Sequence, residues 1–519
     1  MIVVEAMSLT NADGATLYIK TPDDSAIAFK ILRNHSLDLQ MGGTSKKEIK
    51  FPPLKLYKPD GAGNEHLVSV YVALTGRTLN INDVYEVDGF DFRGTKAFDK
   101  NTGYRSKSML VTPLKNHENE MIGVLQLINS LDDKGGIIPF SLEHQDLIES
   151  LASQAAVSIT NASLIKELKE LMDGFIKSIA SAIDEKSHYT GGHIRRVAEI
   201  SMDIARGLCN SNEERWREFT LTQDETNELR IAAWMHDIGK ISTPEYIVDK
   251  ATKLETIYDR INYVEAKFEI LKRDIEISYL RKHAEIYSSD IKDKDLQIKS
   301  LKEAFEEQIQ KLTSDLDFLK HMNIGGEFMS DALIERIKGI ASTKIIINGV
   351  EQNILTDNEF YNLSIRKGTL TVEERNVIQN HVVLTGNMLA RLPWPKKLKK
   401  VCEYASEHHE KLDGTGYPNG LDSELLPIQS RIIAVADVFE ALSAGDRPYK
   451  HGKKLSECVK ILSMMVKSNH IDEDIVDFFI SSGLLQRYAE RELNNYQIDP
   501  FTYNGVVYDF RDNTDSPTK

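Results

Sequence analysis

The sequence predicts a multidomain protein, an α+β domain followed by an all-α domain that carries an inserted helical hairpin. Three observations predict it. The chain has 519 residues, too many for one compact core. Residues 1–160 alternate short β-type runs with turn residues, and from Ser141 to about Tyr503 apolar residues recur at steps of three and four, broken by a segment of heptad spacing.

In chain order, the run Ala15–Lys20 (ATLYIK) follows the turn residues Asn-Ala-Asp-Gly, and Met121–Asn129 (MIGVLQLIN) follows a polar Asn-His-Glu-Asn turn. Leu164, Leu168, Leu171, Phe175 and Ile179 then set an apolar seam on a connecting helix, placed at 161–183. Such a seam is satisfied by a parallel dimer or by its own domain, and spacing alone does not choose between them. The helical domain is placed at 184–503. Within it, 251–330 carries Leu254, Ile257, Ile261, Val264, Phe268 and Leu271, then Leu301, Phe305, Ile309, Leu312, Leu316 and Leu319, among dense charges. The polar stretch Ser288–Asp295 separates the two sets, so the segment reads as a helical hairpin, a solvated spacer ahead of a docking arm. Residues 504–519 read as a polar C-terminal tail.

Composition excludes several classes. Hydrophobic residues are 41% and charged residues 28%, ordinary for a globular chain. With 64 basic against 79 acidic residues the formal charge is −15, which repels a nucleic-acid polymer and an anionic membrane. Cys209, Cys402 and Cys458 are odd in number and widely spaced, which rules out a disulfide framework and fits a reducing compartment. The opening MIVVEAMSLTNADG lacks a basic region ahead of an apolar one, and no apolar run spans a bilayer, so the expectation is a cytoplasmic protein.

The chemistry concentrates in the helical region. Ile231–Lys240 (IAAWMHDIGK) reads as an apolar helix that presents His236 and Asp237 side by side and stops at Gly239. A carboxylate buried there costs several kcal/mol unless a cation compensates it. Thr371-Val-Glu-Glu374 is a capping box opening a helix whose apolar stripe contains His381. Val401, Tyr404 and Ala405 lead to His408 and His409, then to the turn-rich Asp413–Pro418 (DGTGYP), and the apolar helix of Ile432, Val435, Ala436, Phe439 and Leu442 is interrupted by Asp437. Imidazoles with two carboxylates and no thiolate suit a pair of borderline transition metals, iron or manganese, better than structural zinc. The DGTGYP loop is not a phosphate-cradling P-loop, because its glycines do not precede Lys and Ser or Thr.

The elements HDIGK (His236–Lys240), HHEKLDGTGYP (His408–Pro418) and DVFEALSAGDRPYK (Asp437–Lys450) resemble the signatures of HD-GYP phosphodiesterases, and YTGGHIRRV around His193 is similar to that family's opening helix. The resemblance covers about 175–250 and 365–495; the heptad insert departs from it. It implies two metals, one on His236, Asp237 and Asp437, the other on His381, His408 and His409 with Asp237 bridging. It implies Lys240 at a substrate phosphate, with Arg447 and Lys450 on the dinucleotide. Some members add a third metal through a Glu four residues before the His matching His193; Tyr189 stands there, which favours two metals and leaves Asp184 or Glu185 as substitutes. Tyr417 is assigned to the pocket wall under a ligand base. Asp237, Lys240 and His193 are the catalytic candidates, His193 or water supplying the proton to the leaving 3′-oxygen.

The first domain is similar to GAF domains through Gly94–Tyr104, the runs Met109–Leu114 and Gly123–Asn129, and Phe140 with Glu143. Such domains bind a small-molecule effector or only dimerise, and the chain opens inside the expected first helix, as a shortened chain would. The resemblance implies hydrolysis of a cyclic dinucleotide, cyclic di-GMP first, to linear pGpG and on to GMP. The alternatives are another cyclic dinucleotide such as cyclic GMP-AMP, a nucleotide monoester, or a catalytically silent signalling adaptor.

Overall fold

The computed structural model describes residues 2–186, 191–289, 293–326, 328–445 and 452–511. The chain divides into two compact units, Met1–Met172 and Asp173–Lys519.

The first unit is built on one antiparallel sheet. Its strands are β1 (Ala12–Lys20), β2 (Ala26–Asn34), β3 (Leu39–Gly42), β4 (Leu54–Lys55), β5 (Leu79–Ile81), β6 (Met109–Lys115), β7 (Met121–Leu131) and β8 (Ile137–Ile138). The order is β3-β2-β1-β7-β6-β5, with β4 on β2 and β8 on β7. Alternation along the strands sends successive side chains to opposite faces. Leu17, Leu110, Leu114, Leu125 and Leu127 pack beneath α1 (Ile2–Thr10) and the start of α4 (Leu142–Lys186). Tyr18, Met109, Val111 and Val124 face the other way, with Val68, Val70 and Val72 of α2 (Val68–Thr75). A third helix, α3 (Arg93–Thr102), lies in the connection before β6. The residues Asn-Ala-Asp-Gly are not all a turn: Asn11 has φ 47°, and β1 already begins at Ala12. Asp13 is drawn into the strand because its carboxylate accepts from Tyr104 Oη at 2.6 Å and Ser36 Oγ at 2.8 Å.

The connecting helix is one uninterrupted α4, so the expected boundaries at 160 and 183 fall inside it. Along it Leu164, Leu168, Leu171 and Phe175 are exposed by 52–67%, whereas Ile176, Ala180 and Ile183 are buried.

The second unit runs through α5 (His193–Cys209), α6 (Gln223–Met235), α7 (Glu245–Val248), α8 (Ile261–Ser288), α9 (Lys294–Asn323), α10 (Asp331–Ala341), α11 (Asp357–Leu363), α12 (Val372–Ala390), α13 (Val401–Ser406), α14 (Ile428–Ser443), α15 (Leu455–Lys467), α16 (Glu473–Ser481) and α17 (Leu484–Glu492). It is not all-α. Two short antiparallel pairs occur, β9 (Lys344–Ile347) with β10 (Val350–Asn353), and β11 (Phe501–Tyr503) with β12 (Val506–Tyr508). The second pair places a strand inside the stretch expected to be tail, because Phe501 stacks on Tyr508.

The inserted hairpin is α8 against α9, and it extends further than 251–330. Val264, Phe268, Leu312, Leu316 and Leu319 share one core with Ile337 and Ile340 of α10, Ile345 of β9 and Leu363 of α11. The helix also starts later than the heptads suggest: Leu254 is buried but Ile257 is 95% exposed, since 254–260 form a loop in which Asn323 accepts from Leu254 N at 2.8 Å and donates to Asp259 at 2.8 Å.

Candidate metal centre

Helix α6 opens on a Thr222/Glu225 capping box and ends at Met235, one residue before His236. Gly239 is therefore not its stop. It lies within a 3-10 turn, Ile238–Ser242, and faces α12 so closely that a Cβ would stand 1.9 Å from the His381 carbonyl oxygen. Thr385 fastens the same contact, accepting from Gly239 N at 3.0 Å and donating to the His236 carbonyl at 3.0 Å. The His-Asp pair is thereby locked onto the helix that carries His381, with α12 opening on its expected Thr371/Glu374 capping box. His408 and His409 stand in the turn after α13 rather than on a helix, Asp437 lies within α14, and His193 begins α5.

These side chains converge. The donor atoms of His381, His408 and His409 lie within 4.8 Å of one another, as do those of His193, His236 and Asp437, and those of His236, Asp237 and His408. Asp237 divides its two oxygens between the groups. Its Oδ1 lies 3.2 Å from His381 Nε2 and 4.0 Å from His408 Nε2. Its Oδ2 lies 3.4 Å from His236 Nε2, 3.5 Å from His193 Nε2 and 2.5 Å from Lys240 Nζ. Asp437 Oδ1 is 3.3 Å from His193 Nε2.

Three of the rings are oriented by one device. His236, His381 and His408 each hold the backbone carbonyl three residues earlier through Nδ1, at 2.8, 2.5 and 2.9 Å. A carbonyl only accepts, so Nδ1 carries the proton and Nε2 presents a lone pair. Those three buried Nε2 atoms and Asp237 Oδ1 have no hydrogen-bond partner. Acceptors thus face acceptors across 3.2–4.0 Å in a buried space. A proton does not relieve this at His408, whose pKa burial and the neighbouring His409 and His236 hold well below the usual range; beside it, burial lowers His409 to about 4. Cations do relieve it, and the donor set of imidazoles and carboxylates fits divalent transition metals. Among the described residues no cysteine joins these groups.

Burial opposes the charge of Asp237, but the Lys240 ammonium overcomes it and holds the carboxyl well below its usual range. Burial likewise opposes ionisation of Asp437, and His193 outweighs it, so this carboxyl also stays low. His193 moves upward: its burial is outweighed by Glu440, Asp237 and Asp437.

Several participants escaped the sequence. Glu440, 1% exposed, accepts from His193 Nδ1 and, at 2.6 Å, from Arg196 Nε. Its signal was present, since it follows Asp437 by three residues on the same helix face. Glu410 accepts from the backbone N–H of Asn419 at 2.6 Å and Leu421 at 3.0 Å, holding the DGTGYP loop. Within that loop a Cβ on Gly416 would stand 2.4 Å from Lys411 N. Tyr417, assigned to a ligand base, has one ring face against His409, with centroids 4.9 Å apart and planes at 26°. Asp184 lines a cavity shared with His193, Asp237 and Lys240, and burial pushes its carboxyl up to about 6. Arg447, Lys450 and Tyr189 lie outside the described residues.

Comparison with known proteins matches residues 1–159 to the GAF domain and residues 190–353 and 356–475 to two HD-domain families. Over 90 residues the chain is 44% identical to 3'3'-cGAMP-specific phosphodiesterase 1 of Vibrio cholerae, covering 17% of this chain and 20% of that protein. Over 96 residues it is 40% identical to a cyclic di-GMP phosphodiesterase of Thermotoga maritima, covering 18% and 26%. Over 144 residues it is 31% identical to a probable cyclic di-GMP phosphodiesterase of Vibrio cholerae, covering 25% and 32%. The chain thus spans a third or less of the length of these curated relatives. No helix among the described residues is long and apolar enough to cross a membrane. The chain is a GAF and HD-domain protein, with the α/β GAF domain ahead of a predominantly helical HD region.

Proposed function

We propose that this chain is a metal-dependent phosphodiesterase of the HD-GYP kind, hydrolysing a cyclic dinucleotide in the cytoplasm under the influence of its GAF domain. The observation that carries the reading is the set of unpartnered Nε2 atoms turned on an Asp237 carboxylate that reaches both groups. His193, His236 and Asp437 would hold one divalent metal, iron or manganese, His381, His408 and His409 a second, with Asp237 between them. Two such ions supply an activated water and neutralise charge on the phosphoryl oxygens. Lys240, whose ammonium already sits at the Asp237 carboxylate, is placed to hold a phosphate oxygen as its charge grows in the transition state. Glu440 keeps the Nδ1 side of His193 occupied, so His193 turns only Nε2 to the centre. That geometry makes His193 a ligand ahead of a proton donor.

Cyclic di-GMP is the first substrate, opened to pGpG and then GMP. Cyclic GMP-AMP is the second reading, supported by the name of the relative that is 44% identical to the chain. The exposed seam Leu164, Leu168, Leu171 and Phe175, at steps of four, three and four, supports a parallel dimer through α4. A small-molecule effector of the GAF domain completes the reading.

The 519-residue chain loaded anaerobically with iron or manganese should bind about two metals per chain and cleave cyclic di-GMP. Asp237→Ala should lower turnover by about a thousandfold or more. Faster cleavage of cyclic GMP-AMP would move the substrate to the second reading. A protein that binds no metal and cleaves neither would overturn the assignment in favour of an adaptor.

A further inference from the structure

The last turn of α4 ends on the metal centre. Ile183 and Asp184 are buried there, and with Lys186 they line the cavity that also exposes His193, Asp237 and Lys240. Lys186 Nζ donates to the carbonyl of Lys240 at 3.2 Å, to that of Thr243 at 2.8 Å, and to that of Ile241. An ammonium has three N–H donors, and three carbonyls take them. These oxygens belong to the end of the 3-10 turn Ile238–Ser242 and the residue after it; the Lys240 carbonyl also accepts from Thr243 N at 3.1 Å, so Lys186 is a second donor there, and the end of such a turn favours a cation. The helix that delivers Lys186 is itself held in place. Ile176 and Ala180 are buried, and Asp173 accepts from Arg230 of α6 at 2.8 Å.

We propose that Lys186 is a positioning residue for Lys240. By gathering the carbonyls that close the turn after Asp237, it sets where the Lys240 ammonium stands over the centre. A role for Lys186 as a phosphate ligand is disfavoured, because its donors are already spent on backbone oxygens. Arginine would be a poor replacement, since a planar fork does not converge on three carbonyls of one turn. Because α4 is continuous from Leu142, the helix that begins in the GAF domain terminates on the turn that presents this cation. The role of Lys240 at phosphate rests on the function proposed above; the clasp itself does not.

The test uses K186M, K186R, K240A and the K186M/K240A double variant of the 519-residue chain. Metal content should match wild type in all four, and kcat of K186M should fall by about tenfold or more with little change in KM. K186R should not restore it. The double variant should be no slower than K240A alone, since a residue acting through Lys240 has nothing left to position. Losses that multiply in the double variant, or loss of metal from K186M, would overturn the proposal. Independently of turnover, amide hydrogen exchange across residues 238–243 should quicken in K186M, and unchanged exchange would overturn the clasp even if wild type proves inactive on both dinucleotides. Should K186M not fold, K186Q, which keeps fewer donors and no charge, carries the same comparisons.

Discussion

Glu440 shows how much of the centre depends on a side chain that does not face it. Its carboxylate joins His193 Nδ1 to Arg196, and the charges of His193 and Arg196 keep it ionised against a burial that opposes this. Glu440→Gln should weaken the metal held by His193, His236 and Asp437 by about 10–100-fold, read by chelator competition, and leave the His381, His408 and His409 group less affected. Lys253 offers a different measurement, far from the centre in sequence role. It is 1% exposed, donates to the Leu363 carbonyl at 3.1 Å, and burial lowers its pKa from 10.5 to about 8. Below about pH 8 both the folded and the unfolded chain carry this proton, so the cost of burying the charge is constant. Between about pH 8 and 10.5 the folded chain releases it first, and the cost declines as pH rises. Lys253→Met should therefore stabilise the insert by about 2 kcal/mol at pH 7, with the gain shrinking by pH 10, as followed by thermal melts across that range. His381 and Asp437 are legible in the sequence because each interrupts an apolar stripe, and His236, Asp237, His408 and His409 because each pair follows one; His193 is marked only by the resemblance of its surroundings. Lys186 is not legible there, because its partners are backbone oxygens 54–57 positions later, and carbonyls leave no mark on residue identity.

Elements with long periodic stripes were read well, and short ones were missed. Helices α8, α9 and α12 follow the heptads and the capping box, whereas β9 and β10 are four residues each, mostly exposed, and offer no alternation to detect. The sequence predicts helix through His408 and His409, which the structure places in a turn, because the apolar residues before them, Val401, Tyr404 and Ala405, keep helical spacing up to its edge. The insert divides into two parts along its length. Near its base Leu312, Leu316 and Leu319 are buried with α10 and α11; toward its tip Leu280, Tyr287 and Leu296 are exposed. Shortening both helices beyond about Ile275 and Gln308, with a tight turn between them, should leave metal content and turnover near wild type and cost less than about 1 kcal/mol. Removing 261–323 outright should expose Ile337, Ile340 and Ile345 and yield an aggregating chain, as light scattering would show.

At the scale of the whole molecule, α4 joins two units whose sequences match different domain families. Its stripe was legible from spacing, but which part of it finds a home within its own unit was not: Ile176, Ala180 and Ile183 do, and Leu164, Leu168 and Leu171 remain open. Leu168→Glu with Leu171→Glu should convert the proposed dimer to a monomer in sedimentation while leaving the metal stoichiometry unchanged. At the other end of the same helix the three imidazoles stand already aimed, each tethered to its own backbone. A cage set in advance spends its ordering entropy during folding rather than on metal uptake, so the proposed site would discriminate little among d-block ions of similar fit. Which element occupied it would then follow what the surroundings supply, and under the proposed function protein prepared from different growth media should differ in activity, as metal analysis beside turnover would show.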